Sequence, residues 1–569
     1  MKRNTLTTAV LAGLTGMAGM VSVSNAVNVN PDGLGQVLMY PYYTARGGND
    51  TLISIVNTTD RGKAVKIRFL EALNSREVLD FNIYMSEWDV WVGAVTADSD
   101  GGALVRTTDS TCTTPLVFDA NLPFGDVLPG GRLNGEASFL TFQYAGSRTD
   151  DGPQGEERNA SGHIEFLEMG ELLPTPASAP SKASASYVPF AAKHTGPAGD
   201  RKPNDCTYLV DLWRDPALGA GDPGPGQPTH WNFDPAFGFN RVDGDGDVIV
   251  SGGLFGAASI INGLDGVMFS YNATALDGFW ANDIGNHTNP GSVFPSLAGG
   301  GETDSNVFVN GTLVQASWPG SIFAVNATIT YDQYMNEYNV QAGLGARSEW
   351  VVTFPTKRFH TDAEAPIGTR PPNDPIAPFT NTWHDTPAGL NFPCEAMAFT
   401  VWDREELTPT PETGGVEFSP RPDEGEPPIF ELCRETNVIR FAQPAAGATL
   451  PAATEILRES LRDGDFRKLG YSNFDLPSGF DAGWFRFDFG DIPTGASIAS
   501  GTDAAIVATG ERVSVEPDTG NRVIGLPAIG FWVNTFQQSS LADEPIRNYG
   551  GTFNHHGSRN LFTDTIIID

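Results

Sequence analysis

Three aspartates alternate with glycine at Asp243-Gly244-Asp245-Gly246-Asp247. Such spacing lets three carboxylates converge on one hard cation, which takes about 6–8 oxygen ligands. Counting from Asp243, Ile249 at position seven offers a carbonyl and Ser251 stands at position nine. Position twelve is Leu254, so the bidentate glutamate of an EF-hand is missing. The loop also leads into Val248-Ile249-Val250, which reads as strand. The expectation is a Ca2+ loop of another kind at Asp243, Asp245 and Asp247, completed by Asp265. The plainer alternative is an Asp/Gly turn, favoured by tolerance of positive φ.

Other chemistry is sparser. Trp402-Asp403-Arg404-Glu405-Glu406 combines acids with an aromatic wall, as a glycosidase or sugar-binding cleft would. Trp213-Arg214-Asp215 and Trp280-Ala281-Asn282-Asp283 invite the same reading, although most tryptophans are buried. The chain lacks a G-x-S-x-G elbow, an H-E-x-x-H pair and a P-loop. Its eight histidines are scattered, and only His555 and His556 are adjacent. Neighbours on a strand point to opposite faces, which disfavours a shared metal. No catalytic or cofactor-binding residues are assigned.

Four cysteines, Cys112, Cys206, Cys394 and Cys433, allow three pairings. Cys112–Cys206 and Cys394–Cys433 are preferred because each pair is nearest along the chain. With no C-x-x-C, a zinc site is disfavoured, and disulfides in an oxidising compartment are expected.

The elements that position these residues read mainly as strands. Val65-Lys66-Ile67-Arg68-Phe69, Leu79 to Met85 and Trp484-Phe485-Arg486-Phe487-Asp488-Phe489 alternate apolar and polar residues. Period two with β-branched and aromatic side chains is the pattern of half-buried antiparallel strands. Glycine (64) and proline (41) supply turns and loops in excess. Thr454 to Leu461 and Tyr331 to Tyr338 are the only segments read as helix. The fold class expected is mainly β: multiple β-sandwich (Ig-like) domains with long Pro/Gly-rich loops and few short helices. Expected boundaries are a signal peptide at 1–26, an N-terminal sandwich at 27–240 with a loop-rich extension at 146–240, a middle β region at 241–360 and a C-terminal sandwich at 361–569.

The leader assignment rests on Lys2 and Arg3, the small apolar run Ala9 to Val23, and Ser24-Asn25-Ala26. An exported protein follows, periplasmic, surface-bound or extracellular, with no transmembrane segment after cleavage. The 69 acidic against 35 basic side chains leave a formal charge of −34, which opposes binding to nucleic acid. Envelope or extracellular partners, and the chain itself, are the expected partners.

Several phrases carry a resemblance: YPYYTARGGNDTLISIVNTT, EVLDFNIYMSEWDVWVGAV, LFGAASIINGLDGVMFSYNATAL, SEWVVTFPTKRFH, GLPAIGFWVNTF and NYGGTFNHHGSRN. The chain resembles a group of exported proteobacterial proteins without an assigned activity. The resemblance implies an envelope or surface location and brings no catalytic residues. The resulting expectation is a non-enzymatic exported β scaffold with a structural, adhesion or matrix role. The alternative is a secreted hydrolase or carbohydrate-binding protein using Asp, Glu and Trp in a cleft.

Overall fold

The computed structural model describes residues 26–563, save 116–130, 133–134, 151, 215–237, 241–247, 364–373, 387–388, 392, 410–416, 420–428, 444–455, 460–470, 517 and 539–546. Strands make up 46% and helices 12%, so the fold is mainly β. Two seven-stranded sheets face each other in the first half. One includes Val37–Thr44, Ser161–Glu171, Lys63–Glu71 and Glu77–Met85; the other includes Leu254–Asn262, Asn49–Asn57 and Val90–Ala97. Their inward residues, among them Ile53, Ile55, Val65, Ile67, Phe81, Trp91 and Phe166, form one core.

A second facing pair follows. A five-stranded sheet holds Gln333–Asn339, Glu395–Asp403 and Ala482–Asp488; a six-stranded sheet holds Ala346–Thr353, Thr436–Ala442 and Ile529–Gln538. Phe485, Phe487 and Phe489 are each fully buried, as their alternation requires. The outer face of the six-stranded sheet is covered at its centre. Its Val351, Val438, Phe531 and Val533 join the first core, where Tyr271 and Phe531 stack with centroids 4.7 Å apart. Thr353 Oγ1 donates to Pro41 O at 2.6 Å beside this seam.

Hydrogen bonding shares the stretch 241–360 between both pairs. Leu254–Asn262 is antiparallel to Asn49–Asn57, whereas Gln333–Asn339 is antiparallel to Ala482–Asp488. The segment Tyr331 to Tyr338, expected as helix, is strand. Tyr334, Asn336 and Tyr338 alternate inward, and a window of eight residues was too short to separate the two periods. Of Thr454 to Leu461, only 456–459 lie among the described residues, and no helix forms there that hydrogen-bonds over a full α-turn. Helices occur instead at Tyr187–Ala192, Cys206–Arg214, Ser321–Ile329, Lys357–Thr361 and Ala504–Thr509. Among the described residues, no helix is long and apolar enough to cross a membrane.

A second correction concerns the polar face of Lys63–Glu71. Its alternation was read as that of a half-buried strand, yet the strand is buried on both faces. Lys63 pairs with Glu168 at 2.7 Å, Lys66 with Asp80 at 2.6 Å, and Arg68 with Glu77 and Glu165 at 2.7 Å each. Residues 288–291 close over this layer: Lys66 Nζ donates to Asn289 O, and Gly291 N to Asp80 Oδ2. A buried cation survives only when paired and hydrogen-bonded, which accounts for the matching acids on neighbouring strands.

Both preferred disulfides are present, Cys112–Cys206 and Cys394–Cys433. The first anchors helix Cys206–Arg214, whose Tyr208, Leu209, Leu212 and Trp213 are buried against Tyr84 and Met169. It closes a sequence separation of 94 residues. Replacing both cysteines with serine is therefore expected to lower unfolding free energy by about 4–5 kcal/mol, from the loop entropy returned to the unfolded chain. A denaturant titration reads this directly, and an unchanged midpoint would refute it.

Candidate functional site

A groove of about 830 Å3 lies on the second pair of sheets. Glu337, Tyr338, Asn339, Asp403, Gly483 and Trp484 line it from the five-stranded sheet. Trp532, Asn534, Tyr549 and Phe553 line it from the other.

Its aromatic surface is built by register. Trp402 and Trp484 are directly opposed on adjacent antiparallel strands, and their rings stack at 3.9 Å with an interplanar angle of 6°. Gly483 makes this approach possible, because a Cβ there would lie 1.9 Å from Trp402 O. Tyr338 Oη donates to that same carbonyl at 3.1 Å. The Arg486 guanidinium lies 5.3 Å from the Trp402 ring centroid, a cation–π contact. Trp532 packs on Phe553 at 5.0 Å, and its Nε1 donates to Ser348 Oγ. Trp484, Tyr549 and Phe553 keep 37%, 55% and 53% of their surface in water. These three rings present apolar faces to solvent along one groove.

Polar groups ring these faces. Glu337 and Glu406 are exposed at the groove, and Asn339 and Asn534 add amides. Asp403 Oδ1 accepts from the N–H groups of Glu405 and Leu407 at 2.8 and 2.9 Å, fixing the turn that carries the rim. Arg404 Nη2 donates to Asp481 Oδ1 at 3.1 Å, so its charge is answered within the rim. The groove therefore offers ring faces, hydrogen-bond acceptors and amides, with a negative excess that would repel anions.

Asp403 thus lines the groove, as does Trp484 from a later strand, while Trp402 supports it only by stacking on Trp484. The other tryptophan phrases do not. Trp213 Nε1 donates to Tyr84 Oη, and Trp280 Nε1 donates to Glu168 O, both inside cores. Glu337, Trp532, Tyr549 and Phe553 went unnoticed in the sequence. The alternation Tyr549, Gly551, Phe553 was the available signal.

Asp243, Asp245 and Asp247 lie outside the described residues. Asp265, expected to complete their cation site, is ion-paired with Arg458 instead. Cys394, Glu431 and Cys433 sit together, but the two sulfurs are bonded to each other and supply no thiolate. His555 is held by Val351 O and Asn336 Nδ2 against Trp350, while His556 is exposed, so the adjacent pair is split. No family model matches the chain, and no curated protein or solved structure matches it.

Proposed function

We propose that this is an exported, non-catalytic envelope protein built of Ig-like sandwiches, and that it adheres to neutral glycan chains through the groove at Trp484. The observation carrying this reading is the exposed aromatic surface of Trp484, Tyr549 and Phe553 set among Glu337, Asn339 and Asn534. The apolar C–H face of a pyranose packs on an aromatic ring, and its hydroxyls donate to carboxylates and amides. Acidic polysaccharides fit less well, because the rim already carries excess negative charge. The two disulfides support an oxidising, extracytoplasmic setting.

A hydrolase is the second reading, favoured by the same acids. Glu337 and Glu406 are exposed to solvent, however, whereas hydrolytic chemistry is favoured in a site closed to water. Titrating neutral oligosaccharides while following tryptophan fluorescence tests the main reading. Trp484→Ala is expected to weaken binding about 10–100-fold, the loss of about 1.5–3 kcal/mol for one buried aromatic contact. Equal binding by the folded variant would overturn it, and release of reducing ends would favour the hydrolase.

A further inference from the structure

A different pocket, of about 210 Å3, opens where the two sheet pairs meet. Arg68, Ser75, Arg76 and Glu165 reach it from the first pair, Ser296 from the loop after residue 291, and Arg358 from the helix Lys357–Thr361. Three guanidiniums therefore line one small space, against a single carboxylate, in a chain where acids outnumber bases 69 to 35.

Carboxylates behind the pocket hold the arginines in place. Arg68 Nε donates to Glu77 and its Nη1 to Glu165, both at 2.7 Å. Arg76 pairs with Asp150 and Asp362 at 3.4 and 3.1 Å. Arg358 Nε donates to Asp362 Oδ2 at 3.2 Å, and its Nη1 donates to Ser75 O at 3.4 Å. These contacts use Nε and Nη1 of Arg68 and Arg358, and among the described residues the Nη2 amino groups of both carry no hydrogen bond. The guanidiniums are thus oriented before any ligand arrives, which lowers the cost of binding.

Ser296 supplies an independent sign. It is 1% exposed, lines the pocket, and among the described residues its Oγ has no hydrogen-bond partner. A buried hydroxyl without a partner costs about 1–3 kcal/mol, so a position like this calls for an acceptor. Burial, and next the charge of Arg76, push the Arg358 guanidinium below its usual proton affinity, and Arg68 acts in the same direction. An anion among these cations would relieve that repulsion. Leu70, Pro355 and Phe359 add apolar surface to the wall, and apolar surroundings strengthen charge–charge attraction.

We propose that this pocket binds a small oxyanion, phosphate, sulfate or a carboxylate, between Arg68, Arg358 and Ser296. Planar guanidinium groups suit such oxygens, and the volume admits an anion of this size. Because the residues come from both sheet pairs, the bound anion would also tie the pairs together. The inference is independent of glycan binding at Trp484.

Calorimetric titration and thermal melts with sodium sulfate, inorganic phosphate and sodium acetate test it on the full mature chain, at ionic strength matched with sodium chloride. Saturable binding by at least one of the three, with a melting temperature raised above the chloride control, is expected. Arg358→Gln should weaken that binding at least about tenfold, as loss of a charge-assisted hydrogen bond does. Ser296→Ala, which removes only a hydroxyl, should weaken it about two- to tenfold and serves as the deciding variant if Arg358→Gln does not fold. Melting temperatures that follow ionic strength alone, or wild-type affinity in a folded variant, would overturn the proposal. Preference among the three anions identifies whether a tetrahedral or a carboxylate group is the preferred ligand.

Discussion

Acidification below pH 6.5 is expected to erode the stability advantage of the wild type over a His287→Gln variant by about 1.4 kcal/mol per pH unit. His287 is buried beside the helix Cys206–Arg214, its Nε2 2.9 Å from Tyr84 Oη and its ring against Trp213 and Phe239. Burial, and secondarily the charge of Lys66, lowers it to about 3 from an ordinary 6.5. Above pH 6.5 the imidazole is neutral whether the chain is folded or not. Between 6.5 and 3 the unfolded chain takes up a proton that the native state refuses, so native stability falls as pH falls. The full effect by pH 3 is about 4–5 kcal/mol, an upper bound set by local opening. Asp89 works the other way. Burial raises it to about 7, so the native state holds its proton more tightly between pH 7 and 4 and gains stability there. The wild-type curve alone therefore mixes opposing slopes, and the difference between wild type and variant is the quantity to measure. Parallel denaturation curves for the two proteins from pH 7 to 4 would sink the assignment.

Arg158→Met is expected to cost about 3–5 kcal/mol, because it removes the bidentate partner of one buried carboxylate and an ion-pair partner of a second. Glu71 is left with backbone N–H groups, and Asp150 with Asn74 and the more distant Arg76. Arg158 Nη2 donates to Glu71 Oε1 at 3.0 Å and to Asp150 Oδ2 at 2.6 Å, while Nη1 donates to Asp150 Oδ1 at 2.7 Å. Neither carboxylate has any exposed side-chain surface. Burial raises Asp150, but the hydrogen bonds and charge of Arg158, then Arg76, outweigh it and hold the group below its ordinary value. The guanidinium also lies 4.4 Å from the Tyr144 ring centroid. The damage should spread across the junction, since Trp383 Nε1 donates to Asp150 O and Asn74 Nδ2 bridges Asp150 with Asp362. Urea denaturation monitored separately by near-ultraviolet and far-ultraviolet dichroism reads both effects. A loss below about 1 kcal/mol would show that water replaces the arginine, contrary to the burial seen here.

Much of the strand content was legible because period two is a local property. Phe485, Phe487 and Phe489 announce an inward face without knowledge of any partner. The same rule misled at Lys66 and Arg68, where a polar face meant buried ion pairs under residues 288–291. Amphipathic alternation says which residues share a face and nothing about what covers it. At the groove, Trp402 with Asp403 was visible as a phrase, but its stacking on Trp484 was not. That contact needs an antiparallel register between segments 82 residues apart and a glycine at 483 to let the strands close.

Residue order alone established a β-rich chain, a strong negative charge and cysteines whose nearest neighbours pair, since composition and periodicity act over a few residues. Tertiary packing decided that strands from the middle of the chain complete both sheet pairs, and it gathered Asp403, Trp484, Trp532 and Phe553 around one groove. It also set Arg68, Arg358 and Ser296 around another cavity. Such encounters follow from long-range hydrogen-bond register and from the burial of shared apolar faces, forces that join residues distant in the chain and leave no local trace.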